Sequence, residues 1–332
     1  MSKKYFLRVL AGAISLYISI LFVVNILIDP DMEHMVFKSR LNNKHFFHSA
    51  YSAHLLFDLL KTKKVILVFG TSRTHQINTM DFDGSVVLNL HAIYGTPYAA
   101  LDFLKNLDDR QWANITEIYF ELSDITYNGQ EKYKKVDYQS RWSTLLQTVK
   151  ETNFDKLSRA YWTVNKNINQ NDSIYINNEG AFIIEKELPP FNAKISGHVE
   201  SARKVQSRQV YKNDSYIALK DLYNLIKTHH ITPIYFTTPL RKEYIECSNI
   251  EALQEARSLY VDILGGYYDL SYIEQLSNDS NNFSDSQHTN TQGKNYYLKI
   301  LKERDSRFYI TKAKLPDANE KLKIVSENGC QF

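Results

Sequence analysis

A chain of 332 residues with 43% hydrophobic side chains is long enough for one large domain or two modest ones and has enough apolar material for an ordinary globular core. Its formal net charge is only +3, with no long basic block, which gives no basis for nucleic-acid binding. The abundance of tyrosine (23) and phenylalanine (17) has two readings: core filling, and aromatic surface suited to sugar rings.

Lys3, Lys4 and Arg8 precede an apolar run from Val9 to Ile28 that contains no charge. About 20 such residues span a hydrocarbon core as a helix. Basic residues lie before the run and Asp29, Asp31 and Glu33 after it, so residues 1–8 are expected in the cytoplasm, 9–28 in the membrane and the rest outside. A cleaved signal peptide is the alternative; it calls for a shorter apolar region and a small-x-small site, and no clear one lies just beyond the run. Asp29-Pro30 ends the helix. Apolar residues at helical spacing from Phe46 to Leu60 then predict an amphipathic helix.

Val65-Ile66-Leu67-Val68-Phe69 reads as a buried strand of a parallel sheet, stopped by Gly70. A second strand is expected from Ser85 to Leu90, a helix from Pro97 to about Leu107 capped by Thr96, and a third strand from Thr116 to Leu122. Residues 125–204 break this rhythm and read as an insertion, a cap over the sheet or a plain excursion. Within it a helix is expected around Trp142 to Val164, a short strand or hairpin between Ile174 and Ile184, and a loop at Pro189-Pro190. The alternation resumes with a helix from Gln206 to Thr228, a strand from Pro233 to Thr237, a helix from Asn249 to Leu264 and a short strand from Tyr267 to Leu270. The loop from Ser277 to Ser284 leads to Asp285-Ser286-Gln287-His288, and a helix is expected from Thr291 to Glu303. Strands alternating with helices predict an α/β fold with a parallel sheet. The main domain is taken as 29–310, and 311–332 as a charged peripheral tail.

Two stretches carry chemistry. Ser72 follows the first strand at the sheet edge where open α/β sheets place ligands, near backbone N–H groups suited to an oxyanion. A polar turn is the plainer reading. Asp285 and His288, spaced Asp-x-x-His after the last strand, offer a carboxylate to fix an imidazole that takes a serine proton. Together they make a candidate Ser72–His288–Asp285 triad. His75 and His91 read as neighbours of the site. The histidines lack zinc-ligand spacing, so neither a metal nor a diffusible cofactor is expected. Cys247 and Cys330 are too far apart for a metal motif and leave open one disulfide or two thiols.

This arrangement resembles the SGNH (GDSL-like) hydrolase superfamily, with its flavodoxin-like sheet, helices on both faces and the same serine and Asp-x-x-His placement. Gly70-Thr71-Ser72-Arg73, Asp29-Pro30, and Asn89 followed by Gly95-Thr96-Pro97 are similar to its membrane-anchored members, the alginate acetylation and teichoic-acid D-alanylation proteins. The resemblance implies Ser72 as nucleophile, His288 as base and Asp285 as its partner, with the N–H groups of Ser72 and Gly95 as oxyanion donors. It also implies an oxyanion asparagine after the third strand, where this chain has Glu121-Leu122-Ser123-Asp124. Asp124 reads as a structural or substrate-facing carboxylate, and Arg73 as its ion-pair partner first, with contact to an anionic substrate or simple exposure as the alternatives. The implied function is extracytoplasmic O-acyl transfer, acetyl above all, to an envelope polysaccharide. A multipass membrane-bound O-acyltransferase partner would bring the acyl group across. The alternatives are an esterase acting on such glycans and a non-catalytic glycan-binding assembly factor.

Overall fold

The computed structural model describes residues 3–23, 59–83, 85–91, 95–123, 158, 161, 174–176, 182–184, 213–285 and 287–327. They belong to two compact units, Met1–Leu59 with Val136–Lys186, and Leu60–Lys135 with Glu187–Phe332.

In the first unit, α1 (Lys3–Val23) starts earlier than the apolar run, and residues 24–28 of the expected span lie outside the described residues. From Lys4 to Leu21 it is long and apolar enough to cross a membrane, as a signal sequence also would be, and none of that stretch is buried. Leu7, Leu10, Ile14, Leu16, Ile18 and Ile20 are all exposed, the pattern of a helix whose apolar surface is not matched to a protein core. Ser19 Oγ donates to the Ser15 carbonyl at 2.9 Å, which satisfies the hydroxyl within the helix. The same unit holds a hairpin of Ile174–Ile176 and Phe182–Ile184, antiparallel with Ile174 opposite Ile184. The helices expected at 46–60 and 142–164 fall mainly outside the described residues.

The second unit is built on a six-stranded sheet of β1 (Val65–Phe69), β2 (Val86–Asn89), β3 (Ile115–Glu121), β4 (Ile234–Phe236), β5 (Tyr267–Tyr268) and β6 (Tyr309–Ile310), in the order β2-β1-β3-β4-β5-β6. β1 to β5 are parallel and β6 pairs antiparallel with β5. All of β1 is buried because both faces are covered, which is why it reads as a continuous apolar run. Alternate residues serve the two faces. Ile66 and Val68 join a cluster with Phe236, Tyr297, Leu298 and Leu301 of α8 (Thr291–Glu303). On the other face Phe69 meets Phe103 of α2 (Pro97–Lys105) edge-on, ring centres 6.1 Å apart, and α2 packs against α4 (Asn213–Thr228).

Helix limits follow their capping chemistry. The Thr96 hydroxyl accepts the Ala99 N–H at 3.2 Å with Pro97 in the first turn, and Asn249 accepts the Ala252 N–H at 3.0 Å to start α6 (Ile250–Leu264). Gly265 ends α6 at φ +76°, a conformation that costs glycine nothing. A short helix at Asp109–Trp112 is an addition to the expected elements, and the expected Tyr267–Leu270 strand shortens to two residues.

The tail is a correction. Tyr309–Ile310 forms the sixth strand, and Leu315–Ser326 forms a helix whose Leu322 and Val325 are buried with Leu240, Tyr244 and Ile245. Charge conceals this in the sequence: only one face of that helix is apolar, and its partners, Leu240, Tyr244 and Ile245 together with Ile250, Leu253 and Tyr272, lie some 50 or more residues earlier in the chain.

Candidate functional site

Ser72 opens a 3-10 turn, Ser72–Thr74, directly after β1. Its side chain faces solvent while Arg73, Thr74 and His75 behind it are buried. The turn lies at the carboxyl end of β1, beside that of β3. Since β2 flanks β1 on its other side, the chain reverses direction across the sheet here, and the crevice this opens is where open α/β sheets hold ligands.

His288 arrives from the loop between the short helix Glu274–Ser277 and α8. The loop closes on itself. Phe283 bridges to Thr289, and the Ser284 N–H donates to the His288 carbonyl at 2.8 Å. Gln76 Nε2, just past the serine turn, donates to the Thr289 carbonyl at 2.8 Å, and the buried Lys294–Asp81 ion pair, 2.5 Å, ties α8 to the same segment. These contacts bring residues 216 positions apart together: Ser72 Oγ lies 2.8 Å from His288 Nε2.

Asp285 completes the line. Its Oδ2 lies 2.6 Å from His288 Nδ1, and its Oδ1 accepts the backbone N–H groups of Gln287 and His288, each at 2.8 Å. A carboxylate only accepts, so Nδ1 carries the proton and Nε2 is left to accept from the serine. Burial pushes the Asp285 carboxyl up, but the His288 hydrogen bond and charge and the two backbone donors outweigh it and hold it at about 2.

Gly95, expected as an oxyanion donor, sits against the serine turn. A Cβ there would come within 2.2 Å of the Gly70 carbonyl oxygen. Among the described residues neither the Ser72 N–H nor the Gly95 N–H donates to a protein group. Asn89 is structural. Its amide donates to the Thr74 and Ile77 carbonyls at 2.6 and 2.8 Å and so holds the segment after Ser72.

The expected ion pair of Arg73 with Asp124 falls outside the described residues. Arg73 Nη2 donates to Gln287 Oε1 at 2.9 Å and to the Tyr244 hydroxyl at 3.3 Å, and the guanidinium lies 5.7 Å from the Tyr244 ring centre. Arg73 thus bridges the serine turn and the histidine loop. No local pattern in the sequence marks Gln287 or Tyr244 for that bridge. Glu121 belongs to the stretch Glu121-Leu122-Ser123-Asp124 that stands where an asparagine is expected, and its one signal is a carboxylate that ends the apolar strand segment Ile118-Tyr119-Phe120.

His75, read as a neighbour, has its ring edge-on to His288 at 5.9 Å and its Nδ1 on the Ser72 carbonyl. Burial, followed by the charge of His288, drives its pKa from 6.5 to about 4. The folded protein therefore keeps His75 neutral between pH 6.5 and 4, while the unfolded chain takes up a proton. This group's contribution to stability is complete above about pH 6.5 and falls as pH drops toward 4, by of the order of 3 kcal/mol. Denaturant titrations of the full chain in detergent are expected to show this decline, with a shallower one in His75→Asn. Parallel pH dependences would contradict it.

No protein-family model matches the chain, and no curated protein matches it. Among the described residues no group of His, Cys, Asp and Glu is placed to hold a metal ion.

Proposed function

We propose that this protein is a membrane-anchored, SGNH-like serine O-acyltransferase that acts outside the cytoplasm. The observation that carries the reading is the line from Ser72 Oγ through His288 to Asp285, at 2.8 and 2.6 Å, with an exposed serine at one end and an ionised carboxylate at the other. A strand order of 2-1-3-4-5 ahead of the antiparallel edge is that of flavodoxin-like sheets and supports the same assignment.

In the proposed reaction Ser72 Oγ attacks the carbonyl of an acyl ester or thioester as His288 Nε2 takes its proton. The negative charge on the carbonyl oxygen faces the N–H groups of Ser72 and Gly95. Collapse breaks the bond to the leaving group, which recovers the proton from His288, and leaves an acyl-serine. A sugar hydroxyl then attacks as His288 removes its proton, and Ser72 is released with the proton returned. Water in place of the sugar gives the esterase reaction with the same residues.

Lys3, Lys4 and Arg8 at the start of α1, ahead of its uncharged apolar run, favour a cytoplasmic amino end. Acyl-CoA does not reach the outer side unaided, so transfer calls for a multipass partner to present the acyl group, and an envelope polysaccharide is the acceptor. The experiment is to label the full chain in detergent with a fluorophosphonate probe. Wild type is expected to label and Ser72→Ala and His288→Ala are not; absence of labelling in folded wild type would overturn the activated serine.

A further inference from the structure

Glu121 is the last residue of β3 and is completely buried. Its Oε2 accepts two hydrogen bonds from the residue before Ser72, from the Thr71 N–H at 2.6 Å and the Thr71 hydroxyl at 2.8 Å. Its Oε1 accepts the hydroxyl of the buried Thr238, after β4, at 3.0 Å. Among the described residues no Lys, Arg or His forms an ion pair with it. A carboxylate held in the interior by neutral donors alone is costly, so it calls for a geometric reason. The reason lies at Thr71. Its carbonyl accepts both the N–H and the hydroxyl of Thr74, each at 3.0 Å. With its N–H, hydroxyl and carbonyl all engaged, Thr71 has no rotational freedom left. In a trans peptide the N–H points opposite to the carbonyl, so pinning the Thr71 carbonyl inward turns the Ser72 N–H outward. Gly70 makes the approach possible, since a Cβ there would lie 2.8 Å from Glu121 Oε2.

We propose that Glu121 is a positioning residue for the nucleophile: by clamping Thr71 it holds Ser72 so that its hydroxyl meets His288 while its N–H faces the oxyanion. The proposal rests on the serine-acyltransferase reading for its chemistry and on the Thr71 geometry for its structure. Glutamine can keep accepting from Thr71 through its oxygen while its amide donates to Thr238. Alanine cannot reach either partner.

The test uses the full chain in detergent and two readouts, the maximal rate of fluorophosphonate labelling and amide hydrogen exchange over residues 70–75. Glu121→Ala is expected to lower the labelling rate by about a hundredfold, as misplacement of a reacting group does, with probe affinity nearly unchanged. Glu121→Gln should restore the rate to within a few-fold of wild type, and Thr71→Val, which removes one donor at nearly constant volume, should cost about tenfold. Labelling of folded Glu121→Ala at the wild-type rate would overturn the proposal, as would equal losses in the glutamine and alanine variants. Wild type that does not label would remove the serine reading instead. Exchange then decides the positioning role by itself: faster exchange over 70–75 in the alanine but not the glutamine variant upholds it, and unchanged exchange overturns it. If Glu121→Ala does not fold, Thr71→Val carries the same two readouts, with slower labelling and faster local exchange expected and wild-type behaviour overturning the proposal.

Discussion

Asp285→Asn is expected to lower the turnover of p-nitrophenyl acetate by the full chain by about 10⁴-fold, and Ser72→Ala or His288→Ala by about 10⁴- to 10⁶-fold. The asparagine variant is the more informative because its shape is conserved. Asp285 Oδ1 is committed to the Gln287 and His288 N–H groups, so an asparagine would keep its oxygen there and turn its NH₂ toward His288 Nδ1. Nδ1 would then have to accept, the ring proton would move to Nε2, and Nε2 could no longer take the Ser72 proton. With the Asp285 carboxyl held at about 2, its own titration stays out of the rate profile above about pH 4. Turnover by Asp285→Asn near the wild-type rate would show that Asp285 does not set the tautomer.

Gly95→Ala is expected to cost about 10²- to 10³-fold in turnover, the range for loss of one oxyanion donor, together with about 1–3 kcal/mol of stability from overpacking. The added methyl would stand 2.2 Å from the Gly70 carbonyl oxygen and 2.8 Å from its carbon. Backbone on that side has little room to give, because the next residue, Thr71, is held through its N–H by Glu121 and through its carbonyl by Thr74. The strain therefore falls on the Gly95 segment and carries its N–H away from the turn. Turnover and a denaturant midpoint on the same sample check both halves. A variant that is destabilised but turns over normally would remove Gly95 from the oxyanion role.

Sequence alone determined those features that depend on short-range physics. The run Val65 to Phe69 had to be a strand covered on both faces because no alternation of polar residues offers it a wet side. Thr96-Pro97 marks a helix start because capping is a matter of three or four neighbouring residues. Asp285 and His288 were legible as a pair because the loop that joins them is short enough to close on itself. The apolar helix at the amino end was legible by length and composition. Tertiary structure decided what depends on distant partners. Ser72 and His288 meet only because the strand order brings the β1 turn beside a loop some two hundred residues later. The sheet order, the sixth strand at Tyr309–Ile310 and the burial of Leu322 and Val325 in a charged tail follow from non-local pairing that local pattern does not encode. Glu121 is the sharpest case: in the sequence it is a carboxylate at a strand end, and its hold on Thr71 exists only once β3 lies beside β1 and Gly70 leaves room for the carboxylate to reach the backbone.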